Sequence, residues 1–332
     1  MVIERGFELA GQGVGRGTAL LGSAWRFPGQ MLAAGGSRRD PDVGRLGALP
    51  FDEARHLVAS DGGHIFTTAH GSGPTFLFVH GFAMTSRVWT KQFRDLPAAG
   101  MRAIAFDHRG HGASTATMDE TSVDNLADDV RVVVEGLDLR DAVVVGHSMG
   151  GMALLAFAVR YPEVAAARLR GMVLVATAAR LGVAQVPLLG RAFVPFTTGF
   201  VRSGTWSRSD WSGWAARLLF GKDPVPSQVD LARALLASAR EETIVGCAQA
   251  LASFDLNDQL GRVALPTLVV NGTADLLTTP GDARRLARAI PEARLELVSG
   301  AGHMVMLERA ERLATLLGAF AREHGAAAGL AA

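Results

Sequence analysis

The chain has 332 residues, 48% of them hydrophobic and 20% charged, which provides enough apolar material for a large core and argues against a disordered protein. Its formal net charge is +1 and it has no block of basic residues, so the charge pattern argues against a nucleic-acid-binding protein. The single cysteine, Cys247, excludes a disulfide within the chain, and no stretch has the pattern of a transmembrane helix or a secretory signal, so we expect a cytoplasmic protein.

Residues 1–50 are predicted to form an N-terminal extension rich in glycine, alanine and arginine. Its alternating glycines follow no strong strand, and the G-x-G-x-x-G spacing fails at Arg16, so we expect no dinucleotide site there. Residues 18–34 contain Trp25 and Phe27 within an apolar stretch. Two interpretations are open: a short helix docked on the main domain, or a segment that makes weak contact with a membrane interface.

From residue 55 onward, short apolar runs typical of strands alternate with stretches of helical periodicity. The Asp61-Gly62-Gly63 turn predicts a hairpin between the first two strands. The alternation that follows predicts an α/β fold with a mostly parallel twisted sheet flanked by helices. The predicted strands cover 55–59, 64–69, 75–79, 102–106, 142–145, 171–176, 267–270 and 295–298, and the predicted helices cover 89–96, 123–137, 152–160, 280–289 and 310–321. In the helix over 123–137 an apolar row recurs on one face, formed by Leu126, Val130, Val133, Val134 and Leu137, and the polar residues Asp124, Asp128, Asp129 and Arg131 are available for the opposite face.

The alternation stops between residues 180 and 258, where no comparable β-type run occurs. This stretch contains several prolines and tryptophans, and it shows helical periodicity over 229–239 and 242–254. We therefore predict a helical cap inserted over 180–258, between two parts of the core that cover 51–179 and 259–325.

The pentapeptide Gly146-His147-Ser148-Met149-Gly150 is the most informative motif of the chain. It joins an apolar run to a helical stretch, so the serine lies at the apex of a sharp strand–turn–helix connection, the context of a nucleophile elbow. The glycines on both sides remove collisions that the strained turn would otherwise impose, and Gly151 allows the helix to pack closely. The motif therefore indicates that Ser148 is a nucleophile.

A serine hydroxyl needs a base within hydrogen-bond reach, usually a histidine that a carboxylate holds in the right tautomer. Asp275 and His303 each follow a predicted strand in the second part of the core. Both therefore lie at carboxyl ends of parallel strands, the edge where α/β sheets build their sites. The nearest rivals of Asp275 are Asp255 and Asp258, which precede the strand instead of following it.

Five motifs follow one another along the chain: Val79-His80-Gly81-Phe82, Asp107-His108-Arg109-Gly110-His111-Gly112-Ala113-Ser114, Gly146-His147-Ser148-Met149-Gly150-Gly151, Asn271-Gly272-Thr273-Ala274-Asp275 and Gly300-Ala301-Gly302-His303. In this order they resemble the α/β-hydrolase superfamily. The resemblance implies that Ser148 is the nucleophile, His303 the general base and Asp275 the orienting carboxylate. It also implies an oxyanion hole formed by the backbone N–H groups of Phe82 and Met149, and it implies no cofactor.

A serine at the elbow, by family analogy, sets the chain apart from the haloalkane dehalogenases and epoxide hydrolases of this fold, which use aspartate there. The elbow and the inserted cap resemble carboxylesterases and monoacylglycerol lipases, which implies cleavage of apolar small-molecule esters through an acyl-enzyme. Cofactor-free perhydrolases, also called non-haem haloperoxidases, and carbon–carbon bond hydrolases are alternatives. A non-catalytic binding protein of the same fold is a further alternative, and the sequence carries no signal for an oligomeric state.

Three tryptophans, Trp206, Trp211 and Trp214, lie within the predicted cap. In one interpretation they form the cap's own small core. In the other they line an apolar pocket for the acyl or alcohol group of a substrate.

The other histidines of the motifs are interpreted as structural. His80 and His147 end strands and are expected to hydrogen-bond backbone groups. His108 and His111 lie in a loop that resembles a structural loop of the superfamily. No metal site is expected from them, because no further ligand with suitable spacing accompanies them.

Overall fold

Eight strands form a single sheet within the part of the chain that the computed structural model describes, which is residues 40, 43–115, 122–181, 187–204 and 209–325. Only the backbone is described in residues 187–193, 209–212 and 214. The strands are β1 (Glu53–Val58), β2 (His64–His70), β3 (Thr75–Val79), β4 (Arg102–Phe106), β5 (Ala142–His147), β6 (Leu169–Val175), β7 (Thr267–Gly272) and β8 (Ala293–Val298). Their order across the sheet is β1-β2-β4-β3-β5-β6-β7-β8.

The sheet is parallel except at one edge. β2 pairs antiparallel with both β1 and β4, and every other neighbouring pair is parallel. The hairpin between β1 and β2 turns at the predicted position, where Gly62 has a φ of 82° and the Gly63 N–H donates to Asp61 Oδ1. The prediction of an α/β fold with a mostly parallel sheet is confirmed.

Both faces of the sheet are buried, which explains why its central strands are continuous apolar runs. Every residue of β5 is buried, and successive side chains alternate between two hydrophobic clusters, with Val144 in one and Val143 and Val145 in the other. The helices are α1 (Thr90–Ala98), α2 (Val123–Gly136), α3 (Met149–Arg160), α4 (Pro162–Arg168), α5 (Pro187–Arg202), α6 (Ser209–Leu218), α7 (Pro226–Ser238), α8 (Glu241–Ser253), α9 (Pro280–Ala289), α10 (Val305–Glu308) and α11 (Ala310–Glu323).

Helix α2 agrees with its sequence pattern except at one residue. Ser122 caps its N-terminus, and the predicted apolar row is buried in the core except for Leu137, which is partly buried. The sequence pattern grouped Asp129 with the polar residues of the opposite face, and this is wrong, because Asp129 is fully buried. Its carboxylate pairs with Arg109 at 2.6 Å, as a buried charge requires, so the ion pair fixes the loop after β4.

Four helices, α5 to α8, lie between β6 and β7 in the described residues, and the only β-type pairing there is an isolated bridge between Arg180 and Asp255. α5 packs on α8, and α6 packs on α7. The helices predicted over 229–239 and 242–254 correspond to α7 and α8. Whether the insertion is a separate cap with the boundaries given above stays a prediction. "Cap" is used below for helices α5 to α8.

The end of the predicted N-terminal extension packs against both the core and the cap. Asp40 is buried, and its carboxylate lies 2.8 Å from Lys91 Nζ on α1 and 2.8 Å from Gln228 Nε2 on α7. Both interpretations of residues 18–34 concern residues outside the described part of the chain. No helix within the described ranges is long and apolar enough to cross a membrane.

We expect Asp40→Asn to lower the free energy of unfolding by about 3 kcal/mol, because it leaves the largely buried Lys91 ammonium without its carboxylate. Every candidate catalytic residue lies downstream, so kcat for a soluble ester should stay near the wild-type value. Chemical denaturation measures the loss. The control is Glu323→Gln, which breaks an exposed ion pair with Arg294 at a similar distance and should cost about 0.5 kcal/mol. Equal losses in the two variants would contradict the expectation.

Candidate active site

Ser148 occupies a strained turn between β5 and α3, with φ 52° and ψ −119°. The two flanking residues must be glycine because a side chain would collide with the backbone. A Cβ at Gly146 would lie 2.7 Å from Gly150 O, and one at Gly150 would lie 2.5 Å from Val79 O. A Cβ at Gly151 would lie 2.7 Å from the Thr177 side chain. Ser148 itself is partly exposed, so its hydroxyl group stands at the carboxyl edge of the sheet where a substrate can reach it.

The loop after β3 lies directly against this turn. A Cβ at Gly81 would lie 3.1 Å from Ser148 Cβ, so the two backbones can approach only because residue 81 is glycine. In the described residues, neither the Phe82 N–H nor the Met149 N–H donates a backbone hydrogen bond, and Met149 is the first residue of α3, where helix N–H groups have no intrahelical partner. Their role as donors to an oxyanion stays a prediction.

Asp275 and His303 meet in a buried contact. The His303 Nδ1 donates to Asp275 Oδ2 at 2.9 Å, and the side chains of both residues are almost fully buried. The same carboxylate accepts the N–H groups of Leu277 and Thr278, at 2.9 and 3.1 Å, and the Thr278 hydroxyl at 2.8 Å. Sequence reasoning missed Thr278, which carries no motif of its own.

The electrostatics of this contact keep Asp275 ionised. Burial alone would raise the pKa of Asp275, but the neighbouring His303 and the donors from Leu277 and Thr278 outweigh it, so the pKa lies below its ordinary value. An ionised carboxylate can only accept, so the proton of the neutral His303 ring lies on Nδ1. Nε2 is then the ring nitrogen that can accept a proton from a nucleophile.

His147 links the elbow to the loop that carries His303, residues 299–304 between β8 and α10, called the His303 loop below. Its Nε2 donates to His303 O at 3.1 Å, and the two ring centroids are 4.7 Å apart. Because His147 directly precedes Ser148, this contact brings the serine and the His303 loop to the same edge of the sheet. Both residues are described, and no hydrogen bond joins Ser148 Oγ to the His303 ring; such contacts often tighten only when substrate is bound.

The other three histidines of the sequence motifs, His80, His108 and His111, contact backbone groups or one another. His80 Nδ1 donates to Gly81 O at 2.9 Å and its Nε2 accepts from the His108 N–H at 2.9 Å, so His80 holds the loop that touches Ser148. The rings of His108 and His111 each lie 4.9 Å from that of His80. In the described part of the chain, no group of three or more His, Cys, Asp or Glu side chains is arranged to hold a metal ion.

Burial lowers the pKa of four histidines: to about 4 for His80, to about 3 for His111, and well below the ordinary 6.5 for His108 and His147. In the folded protein these rings are therefore neutral at neutral pH. The unfolded chain binds protons on them as the pH falls below about 6.5, while the folded protein excludes these protons. The stability that they contribute is present above that pH and is lost below it.

We expect the free energy of unfolding to fall by up to about 1.4 kcal/mol per pH unit for each of these histidines, between about pH 6.5 and about pH 4. Chemical denaturation over a pH series measures the slope. His108→Phe removes a ring whose nitrogens have no hydrogen-bond partner, so it should flatten the slope. The exposed His56→Phe should leave it unchanged. If the free energy of unfolding of His108→Phe kept the full slope against pH, burial of the His108 ring would not contribute to that slope.

The predicted substrate-binding tryptophans cannot be related to this site by contact. Trp206 lies outside the described residues, and Trp211 and Trp214 lie on α6 among the residues whose backbone alone is described. Their role in substrate binding stays a prediction. Leu276 and Leu277, which follow Asp275, are instead two exposed apolar side chains beside the site.

The comparisons with known proteins agree with this fold. A family model described as the alpha/beta hydrolase fold matches residues 74–310. The chain is similar to non-heme chloroperoxidase CPO-A1 of Kitasatospora aureofaciens, with 32% identity over 74% of this chain and 91% of that protein, and to a non-heme haloperoxidase of Rhodococcus erythropolis, with 29% identity over 74% and 92%. Among solved structures it is similar to the esterase EaEST of Exiguobacterium antarcticum, with a TM-score of 0.72 and 22% identity over 81% of this chain and 100% of that one.

Proposed function

This chain belongs to the α/β-hydrolase family, and we propose that it is a serine hydrolase that cleaves carboxylic esters of apolar small molecules through an acyl-enzyme. The observation that carries the proposal is the buried 2.9 Å contact between His303 Nδ1 and Asp275 Oδ2, at the sheet edge where Ser148 occupies its strained turn. A serine, a histidine and an ionised aspartate at one edge are the parts that nucleophilic acyl transfer requires.

Acylation begins when Ser148 Oγ attacks the ester carbonyl carbon and His303 Nε2 takes the serine proton. The carbonyl oxygen becomes negatively charged and accepts hydrogen bonds from the N–H groups of Phe82 and Met149, each worth about 3 kcal/mol in the transition state. Asp275 stays ionised and stabilises the imidazolium. The tetrahedral intermediate then collapses, and the imidazolium gives its proton to the departing alkoxide, which leaves as the alcohol.

Deacylation repeats these steps with water as the nucleophile. His303 Nε2 takes a proton from water as the oxygen attacks the acyl carbon, and the same two N–H groups bind the oxyanion. The proton returns to Ser148 Oγ as the ester bond to the serine breaks. The products are a carboxylic acid and free enzyme.

A second candidate function differs only in deacylation. The similarity to CPO-A1, a non-heme chloroperoxidase, favours hydrogen peroxide as an alternative acyl acceptor, which would give a peracid in place of the acid. Halide oxidation would then be a reaction of the released peracid. Steady-state assays with and without peroxide distinguish the two functions: if peroxide outcompetes water at equal concentration, the perhydrolase is the better description.

We expect medium-chain esters to outperform acetate esters, with kcat/KM rising by up to about 4-fold per added methylene, because each buried CH2 contributes about 0.8 kcal/mol. A series of p-nitrophenyl esters of increasing chain length measures this profile. Substitution of Trp206, Trp211 or Trp214 by alanine should change the ranking more than it changes fold stability. The exposed Leu218→Ala on the same helix as Trp211 and Trp214 is the control.

A flat chain-length profile that none of the tryptophan substitutions alters would show that these side chains only fill the cap's own core. The absence of hydrolysis for every ester in the series would contradict the proposed function itself.

A further inference from the structure

The His303 loop lies in direct backbone contact with the segment Leu219–Gly221, which follows helix α6 of the cap. Leu219 O accepts hydrogen bonds from the N–H of His303 at 2.7 Å and from the N–H of Met304 at 3.2 Å. A Cβ at Gly302 would lie 2.5 Å from Gly221 N, and one at Gly221 would overlap Gly300 O. The two backbones are therefore packed too closely for any side chain between them.

One carboxylate joins the two segments. Glu308, at the end of α10, accepts the Gly302 N–H on Oε1 at 2.8 Å and the Gly221 N–H on Oε2 at 2.8 Å. Burial raises the pKa of Glu308, although both N–H groups act in the opposite direction. The cost of burying this carboxylate is offset by two hydrogen bonds to N–H groups from separate parts of the chain, each stronger than a bond between neutral groups.

We propose that Glu308 is a positioning residue, which holds the backbone of the His303 loop against the segment Leu219–Gly221 so that the imidazole stays aligned between Asp275 and Ser148. The inference rests on the proposed function, because it assigns to His303 the role of general base. Glu308 itself touches neither the substrate nor the reacting atoms.

The chemistry of the contact requires a carboxylate. Glutamine has a single acceptor oxygen, so in Glu308→Gln one of the two N–H groups, on Gly302 or on Gly221, faces an NH2 group instead of an acceptor. Aspartate keeps both oxygens, but its shorter side chain cannot reach both N–H groups from the same backbone position. The hydrogen bonds from the N–H groups of His303 and Met304 to Leu219 O remain in both variants. The His303 loop therefore stays in contact with the segment Leu219–Gly221 but is held less rigidly. A displacement of a catalytic group by about 1 Å can cost about 100-fold in rate.

The test measures how fast a fluorophosphonate probe labels the protein, and to what endpoint, in the wild type and in Glu308→Gln, Glu308→Asp and Glu311→Gln. The rate of labelling depends on a base that accepts the proton of the serine hydroxyl, while the final extent of labelling gives the fraction of protein with a folded site. We expect Glu308→Gln to reach the wild-type endpoint at a rate about 10- to 100-fold lower, with a similar loss in kcat and little change in KM for a short soluble ester. Glu308→Asp should be intermediate. Glu311, which is exposed at the start of α11, should behave as the wild type when changed to glutamine.

Wild-type labelling rates in both Glu308 variants would overturn the inference. So would a reduced endpoint with an unchanged rate for the labelled fraction, because Glu308 would then serve folding alone. If Glu308→Gln did not fold, the rate measured for Glu308→Asp would decide in the same way. Failure of the wild type to be labelled at Ser148 would remove the proposed function, and this inference with it, whereas a labelled wild type with unaffected variants removes only the inference.

Discussion

Ser148→Ala is expected to lower kcat for ester hydrolysis by about 10⁴-fold or more, because no other group in the site can form the acyl-enzyme. The free energy of unfolding should change little, since alanine keeps the Cβ in the same strained turn. Steady-state kinetics and chemical denaturation measure the two quantities. Ser253→Ala, at an exposed serine of α8, is the control and should leave kcat unchanged.

Turnover near the wild-type value in Ser148→Ala would contradict the mechanism. The single cysteine offers no substitute nucleophile, because Cys247 is buried and burial raises the pKa of its thiol to about 12. Residual hydrolysis at a low level is compatible with the mechanism, because the proposed oxyanion donors and the substrate-binding contacts remain.

Asp275→Asn is expected to lower kcat by about 10⁴-fold, because an amide can donate to His303 Nδ1 and so stabilise the tautomer with its proton on Nε2. That tautomer cannot accept the serine proton. The substitution also weakens the contacts with Leu277 and Thr278, so the free energy of unfolding should fall by about 1–3 kcal/mol. Kinetics on protein shown to be folded by circular dichroism measure the effect.

The control is Asp258→Asn, at the exposed aspartate that precedes β7. Its kinetics should match those of the wild type. Unchanged kinetics in Asp275→Asn, or a large loss in Asp258→Asn, would move the acid role away from Asp275.

The parts of the fold that follow local rules could be predicted from the sequence. β3 and β4 have the predicted boundaries, because a strand buried on both faces is a continuous apolar run whose ends are visible. The elbow is equally local, since its glycines and serine lie within the six consecutive residues 146–151. Helix α9 also begins and ends where predicted, at Pro280 and Ala289.

The contacts that depend on distant residues could not be predicted. The burial of Asp129 depends on Arg109, which lies in a different loop, so the local pattern gave no sign of it. In the same way, Glu308 meets Gly221 across a large separation in sequence. Thr278 stands near Asp275 in the chain, but its hydroxyl has a role only because β7 and the His303 loop end at the same edge of the sheet.

The central claim is that Ser148 is the nucleophile of an acyl-transfer site, and peptide mapping after treatment with a fluorophosphonate tests it most directly. Mass spectrometry of the digested protein identifies the residue that carries the phosphonyl group. We expect one adduct on Ser148, formed in parallel with the loss of esterase activity and absent from Ser148→Ala. An adduct on another residue that accounts for the loss of activity, or full activity loss without an adduct on Ser148, would contradict the claim.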